Sequence, residues 1–157
     1  MIDAFDELMK RPSSTEVKAD YQLMLQTIQD RLVAEVGVAP WVPNPEPISG
    51  SFCGGYLSNL EGSGETYLDT GVSIGNLPDA RWEQAVAIVV EVAGPRGFGA
   101  PKVIVDGPSD HEVSLRSKFN GSLLFGTGGG TILSVRTGCL LTEEAHQRGT
   151  YLPPKVY

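Results

Sequence analysis

The stretch HEVSLRSKFNGSLLFGTGGGTILSVRTGCLL, residues 111–141, decides the fold. Its Asn120-Gly121 pair is favoured in two-residue type I′ hairpin turns, and the later GTGGGT run supplies glycines suited to positive φ. Around these turns apolar and polar residues alternate, as at Val113 and its neighbours, which is typical of antiparallel strands with one solvated face. Together with PKVIVDG at 101–107, the stretch predicts a four-strand antiparallel meander.

Two helices are expected before the meander. Residues 14–36 place apolar side chains at three- and four-residue steps, and Ser13 and Glu16 have the spacing of a capping box. A second helix is predicted over residues 78–93, where Trp82 begins a run of apolar residues at helical spacing and GPRG follows as a terminator.

The order of these elements predicts an α+β fold. A β-branched and aromatic strand, Thr66–Ile74, lies between the two helices, so the order is helix, strand, helix, meander. This order is typical of two helices packed on one face of a mostly antiparallel sheet, here of about five strands.

We expect a single domain over residues 1–157, with a lead-in at 1–13, a proline- and glycine-rich strap and loop at 38–64, and a polar tail at 142–157. The first part of the strap and loop, residues 38–52, contains four prolines in the sequence PWVPNPEP. Proline is incompatible with a helix interior, so this part, which we call the proline strap, predicts an extended connector over the domain surface.

Length and composition describe a globular chain with an acidic surplus. The 157 residues are 41% hydrophobic and 20% charged, and 19 acidic against 12 basic residues give a net charge of -7. That charge argues against nucleic acids and anionic lipid headgroups as electrostatic partners. No apolar run reaches the roughly 20 residues that span a bilayer, and the acidic start MIDAFDELMK differs from a signal peptide.

The densest polar cluster is VDGPSDHEV, which contains Asp106, Asp110 and His111. A histidine beside carboxylates serves as a general base or a metal ligand in many enzymes. The same residues also form a typical Pro/Gly/Ser/Asp turn between two strands, and we favour that interpretation. We therefore assign no catalytic residue, cofactor or metal ligand from the sequence.

The two tryptophans have different contexts. Trp82, on the second predicted helix, is expected in the core. Trp41 lies in the proline strap, where an indole can contact a partner or an apolar ligand. We therefore take Trp41 as a candidate ligand contact.

The only two cysteines, Cys53 and Cys139, are far apart in the chain. They either form a disulfide between the strap and the last strand or remain two buried thiols. The glycines beside both residues let the backbones approach closely, which favours pairing. The sequence contains no CxxC motif, and no histidine lies at metal-ligand spacing from either cysteine, which argues against a zinc or thioredoxin-like site.

An ordered set of segments carries a resemblance to a known family: DELMKRPSSTEVKADYQLMLQTIQDRL, SFCGG, GPRGFG, and DHEVSLRSKFNGSLLFGTGGGTILSVRTGCLL with its closing Cys139. Together they resemble the mycobacterial LppA-like lipoprotein family over nearly the whole chain. The resemblance implies an exported envelope protein, lipid-anchored to the outer face of the plasma membrane, with Cys53 and Cys139 joined outside the reducing cytosol. It also implies a signal peptide and a palmitate-bearing cysteine in the precursor, so we expect Met1 to follow that cysteine.

We therefore expect a non-enzymatic, monomeric domain with a binding or structural role. Its membrane contact would be the N-terminal lipid anchor, and its partner an apolar ligand or another envelope protein. Two alternatives remain: a carrier of a small apolar or lipid ligand, and a small hydrolase or metal-dependent enzyme centred on Asp106, Asp110 and His111.

Overall fold

The computed structural model describes residues 2–57 and 60–152, except for the side chains of Ile2 and Tyr56. Met1 and positions 153–157 of the predicted polar tail lie outside that part. The helices found in it are α1 (Ile2–Met9), α2 (Ser14–Arg31), α3 (Asp79–Ala93) and α4 (Glu143–Arg148). The strands are β1 (Trp41–Val42), β2 (Ile48–Ser51), β3 (Ser63–Ile74), β4 (Lys102–Gly107), β5 (Asp110–Arg116), β6 (Ser122–Thr127), β7 (Gly130–Arg136) and β8 (Leu140–Leu141).

Helix α2 forms where the apolar periodicity predicts it. The hydroxyl of Ser13 caps its start by accepting a hydrogen bond from the Glu16 amide at 3.3 Å. The helix continues as a π-helical turn, Leu32–Val36, and stops at Gly37, whose φ of 84° suits glycine. Helix α3 also occupies its predicted range. None of the helices in the described part combines the length and apolar character that a bilayer crossing requires.

The sheet is antiparallel throughout, in the order β1-β3-β7-β6-β5-β4, and β2 and β8 also pair with β3. Strands β4 to β7 form the predicted meander. The described residues form 8 strands, more than expected, because the proline strap supplies β1 and β2 and the chain after β7 supplies β8. The strap is thus part of the sheet, since pairing with β3 gives its backbone amides the partners that a loose connector lacks.

One turn differs from its prediction. Asn120 has a positive φ of 63°, but Gly121 does not, so the predicted type I′ turn is wrong. The amide of Ser117 donates to the carbonyl of Gly121 at 2.9 Å, which leaves Lys118, Phe119 and Asn120 as the loop between β5 and β6. A three-residue loop with a left-handed last residue is a common alternative for hairpins. The Ser117 hydroxyl favours it by accepting a hydrogen bond from the Gly121 amide at 2.9 Å.

The main core lies between one face of the sheet and helices α2 and α3. The strands alternate their buried apolar side chains onto this face: Val113, Leu115, Leu123, Phe125, Leu133 and Val135. The helices supply Tyr21, Met24, Leu25, Ile28, Trp82, Ala85, Ile88 and Val89. Trp82 stacks on Phe125 with 5.1 Å between ring centroids, so its predicted core position is confirmed. The fold is therefore α+β, with the helices on one face as expected.

A second apolar cluster surrounds a disulfide that joins Cys53 to Cys139. Helix α1 contributes Phe5 and Leu8, and α4 contributes Ala145. Residues 1–13, described above only as a lead-in, therefore contain a helix with a buried apolar face. Likewise, the predicted polar tail begins with a short helix, α4, because this helix covers the same cluster.

Candidate functional site

A groove of about 650 Å³ lies between α2 and the proline strap, and we call it the strap groove. Its apolar lining consists of Leu25, Val33, Ala34, Pro40, Trp41, Pro43, Pro47, Ile48 and Leu68. Its polar lining consists of Gln22, Gln26, Gln29, Asp30, Asp69 and Thr70. The groove is therefore a mixed surface, with apolar side chains beside amides and carboxylates.

The shape of the groove depends on how the strap bends against β3. The register of β3 with β7 shifts between Asp69 and Val72, so β3 contains a bulge. Gly71, in this bulge, has a φ of 95°, and a side chain there would collide with the carbonyl of Val42. The Asn44 amide group donates to Asp69 Oδ2 at 3.1 Å, which holds the bend of the strap on β3.

Trp41 connects the groove to the main core. It pairs with Ser73 across the β1–β3 ladder and is half-buried against the core while lining the groove. Its indole Nε1 is buried, with no hydrogen-bond acceptor among the described residues. An unsatisfied buried N–H costs about 1–3 kcal/mol, so an acceptor brought by a ligand would be stabilising. The predicted ligand contact of Trp41 stays a prediction, and the structure locates its side chain in the groove.

The charges of the strap groove restrict its ligands. The only charged side chains in its described lining are Asp30 and Asp69. Each accepts a hydrogen bond, Asp30 from the Gln26 amide at 2.9 Å and Asp69 from the Asn44 amide at 3.1 Å. Two carboxylates, with no cationic side chain in the described lining, disfavour an anion. A matching ligand is neutral or cationic, with an apolar body and a few hydrogen-bonding groups.

The side of the strap groove that α2 contributes could not be recognised from the sequence. Gln22, Gln26, Gln29 and Val33 follow one another at steps of four, three and four, so they share one face of α2 and of the π-helical turn that continues it. This face borders the apolar stripe that packs on the core. The spacing was visible in the sequence, but nothing in it shows that the strap stands across from these glutamines.

The structure brings His111 and Asp106 together and leaves Asp110 apart. His111 Nδ1 lies 3.0 Å from an Asp106 carboxylate oxygen, and Nε2 lies 2.7 Å from Asp79 Oδ1. Asp79, in the first turn of α3, lies outside the sequence cluster. Asp110 is exposed, whereas His111, its neighbour on β5, is buried, as alternation along a strand requires.

Both nitrogens of His111 are occupied by carboxylates. The hydrogen bond to Asp79, supported by Asp106, raises the pKa of His111 against the opposing effect of burial. In return, the hydrogen bond with His111 lowers the pKa of Asp79. The imidazole also stacks on Trp82, at 4.9 Å between centroids. The cluster therefore joins α3 to the β4–β5 hairpin, and within the described chain no group of three or more His, Cys, Asp and Glu side chains is arranged for a metal ion.

Two solved structures share this fold. The candidate lipoprotein LppA from Mycobacterium tuberculosis has a TM-score of 0.68, with 14% identity, over 98% of this chain and 93% of that chain. A DUF4853 family protein from Actinomyces odontolyticus has a TM-score of 0.53, with 19% identity, over 93% of this chain and 79% of that chain. At such identities these likenesses show the fold alone. No curated protein matches the sequence.

The sequence profile of one family matches residues 1–143, which include both cysteines, the sheet and helices α1 to α3. That family is LppA, described as a lipoprotein confined to pathogenic Mycobacterium. The match spans most of the chain and confirms the resemblance carried by the ordered sequence segments. The chain therefore belongs to the LppA family of envelope-associated lipoproteins.

Proposed function

We propose that this chain is a non-enzymatic, monomeric binding domain of the cell envelope and that its ligand site is the strap groove. The observation that carries the proposal is the groove itself, with about 650 Å³ of space beside the half-buried indole of Trp41. This volume falls in the range of roughly 300–1,000 Å³ that is typical of small-molecule sites. The ligand we favour is a small, neutral, largely apolar molecule.

The same groove supports a second candidate function, in which the chain carries an apolar or lipid ligand. Nine apolar residues line it, but it is open to solvent along one side, so a bound molecule would be seated in it rather than enclosed. A concave site suits a small molecule better than the broad surface of another protein, since protein interfaces are larger and flatter.

The groove is tested with Nile red, a neutral apolar dye that fluoresces on leaving water. We expect saturable binding with one dye per chain, and Trp41→Ala should weaken it at least tenfold because the indole is the largest apolar group in the lining. Phe52→Ala is the matched control, since Phe52 is an aromatic residue of the strap that is 92% exposed and lies outside the groove lining. Fluorescence titration measures the dissociation constant.

Trp41 also packs on the core, so its loss affects the fold as well as the groove. A second variant therefore fills the groove and leaves Trp41 in place. Ala34→Trp adds an indole to the exposed groove wall on the turn that follows α2, and it should also weaken dye binding at least tenfold. If both variants keep the wild-type affinity and melting temperature, the strap groove is not the binding site and the proposal fails.

The enzymatic alternative has less support. A hydrolase or metal-dependent enzyme centred on Asp106, Asp110 and His111 needs a histidine nitrogen that is open to substrate or metal. Here Asp79 and Asp106 occupy both nitrogens, and Trp82 covers one face of the ring. This arrangement favours a structural role for His111 and supports a non-enzymatic domain.

We also propose that the natural precursor carries a signal peptide and a lipidated cysteine before Met1, which hold the domain at the outer face of the plasma membrane. Membership in a lipoprotein family supports this anchor. The precursor, made in a mycobacterial host, should incorporate labelled palmitate and partition into the detergent phase. Alanine at the lipidation cysteine should move it to the aqueous phase. A precursor that carries no palmitate and stays in the aqueous phase would contradict the anchor.

A further inference from the structure

The sheet face turned away from the helices contains a separate depression of about 490 Å³, which we call the serine face. Besides Gly50 it is lined by Tyr67, Leu124, Arg136 and five serines: Ser49, Ser51, Ser114, Ser122 and Ser134. Serine hydroxyls are therefore the most frequent side-chain groups of its lining, which also contains one aromatic ring, one leucine and one guanidinium.

The strand register explains why these side chains meet. Residues directly opposite each other in antiparallel strands point to the same face. Arg136 of β7 lies opposite Tyr67 of β3 on one side and Ser122 of β6 on the other. In the adjacent row, Leu124 of β6 lies between Ser134 and Ser114. The sheet itself thus builds the site, and rigid neighbouring strands hold its polar groups.

Within the described residues, the polar side chains of the serine face form no side-chain hydrogen bond or ion pair, and Ser134 and Arg136 are the two that matter most for a ligand. Ser134 is only 4% exposed, lines the depression and forms no hydrogen bond through its hydroxyl with that part of the chain. Arg136 likewise forms no ion pair there, although Arg31 and Arg96 each pair with a carboxylate. Arg136 is exposed, and the Ser134 hydroxyl is not fully buried, so both groups can exchange solvent for a ligand in the depression.

The local charge of the serine face differs from that of the whole chain. Its single charged group is a cation, although the chain has a net charge of -7. Arg116, opposite Ser122, adds a second cation to the same face, which also carries the carboxylates of Glu65, opposite Ser51, and Glu112, opposite Gly126. The carboxylate opposite Ser134, that of Asp69, already accepts hydrogen bonds from the amide group of Asn44 and the backbone of Gly71. Within the lining, Arg136 is therefore the group that would attract an anionic ligand.

We propose that the serine face binds an acidic saccharide, that is, a sugar bearing a carboxylate or phosphate group. Serine hydroxyls both donate and accept, so they match the hydroxyls of a sugar. Tyr67, 36% exposed, offers an aromatic ring to the apolar face of a pyranose. Arg136 forms bidentate, charge-assisted hydrogen bonds with a carboxylate or phosphate. This combination distinguishes the site from the strap groove, whose charged groups are carboxylates.

The two sites have no lining residue in common, although Asp69 of the strap groove lies opposite Ser134 in the β3–β7 ladder. Ile48 and Leu68 line the strap groove, whereas Ser49 and Tyr67, their neighbours, line the serine face. Trp41→Ala should therefore leave saccharide binding unchanged, so failure of one proposal can be told from failure of the other.

Titration calorimetry tests the proposal with four probes: trigalacturonate, galactotriose, glucose 6-phosphate and inorganic phosphate. We expect an acidic sugar to bind at least tenfold more tightly than galactotriose. Arg136→Gln should remove this preference, and Tyr67→Ser should weaken binding at least fivefold. Arg81→Gln, which removes the same charge from an exposed position on α3, should leave the affinity unchanged.

The probes separate the possible sources of the anion. Preference for trigalacturonate identifies a carboxylate sugar, and preference for glucose 6-phosphate identifies a phosphorylated one. Arg136→Lys keeps the charge but loses the planar fork, so it should bind more weakly than the wild type and more tightly than Arg136→Gln. No acidic sugar binding, equal binding of galactotriose, equal binding of inorganic phosphate, or wild-type affinity in a folded Arg136→Gln variant would each overturn the proposal.

Discussion

Replacing both cysteines, Cys53→Ala together with Cys139→Ala, is expected to lower the free energy of unfolding by about 4 kcal/mol. The disulfide closes a loop whose ends are separated by 86 positions, so its loss returns much conformational freedom to the unfolded chain. Both sulfurs also lie in the second cluster, where α1 and α4 pack against them. Urea unfolding of the oxidised wild type and the double variant measures the difference.

The reduced wild-type protein is the control for this prediction. It lacks the covalent bond but keeps both side chains, so it should unfold at nearly the same urea concentration as the double variant. A double variant that loses less than about 1 kcal/mol would show that the bond adds little to native stability, since losses of that size are common for ordinary substitutions.

The second large effect is expected from Phe5→Ala, which should lower the free energy of unfolding by about 3–4 kcal/mol. Phe5 is 1% exposed in the second cluster, and its ring meets that of Tyr151 edge-on at 6.3 Å. Removing it leaves a cavity that α1 and the disulfide region cannot fill without moving. The same urea experiment gives the magnitude.

Phe52→Ala is the matched control for Phe5, because it removes the same ring from a side chain that is 92% exposed. Its effect should stay within about 0.5 kcal/mol. Equal effects of the two substitutions would mean that α1 is not packed as the structure shows. A large effect of Phe5 alone would show that residues 1–13 are part of the domain core.

The second cluster also joins the two ends of the described chain. Arg11 donates to the carbonyl of Cys139 at 2.9 Å, and Ser13 donates to a Glu143 carboxylate oxygen at 2.5 Å. These contacts link the segment after α1 with the disulfide and with α4. The segment after α1 is therefore fixed to both the disulfide region and α4.

Elements with regular periodicity could be predicted from the sequence, whereas the candidate site could be predicted only in part. Trp41 was identified because an aromatic residue in a proline-rich segment is conspicuous. The amides of Gln22 and Gln26 were not, since a polar helix face usually means solvent. Asp79 was missed as a partner of His111 because 32 positions separate the two residues in the chain.

The sequence by itself determined the local elements of this protein: helices α2 and α3, the β4–β7 meander and the family carried by its ordered segments. Local elements follow from periodicity, because neighbouring residues on one helix or strand share a face whatever the rest of the chain does. Only the tertiary structure decided that the proline strap pairs with β3, that α1 covers the disulfide, and that Tyr67 and Arg136 meet on the open face. These contacts join distant segments, so they depend on strand register and chain path, which no short stretch of sequence contains.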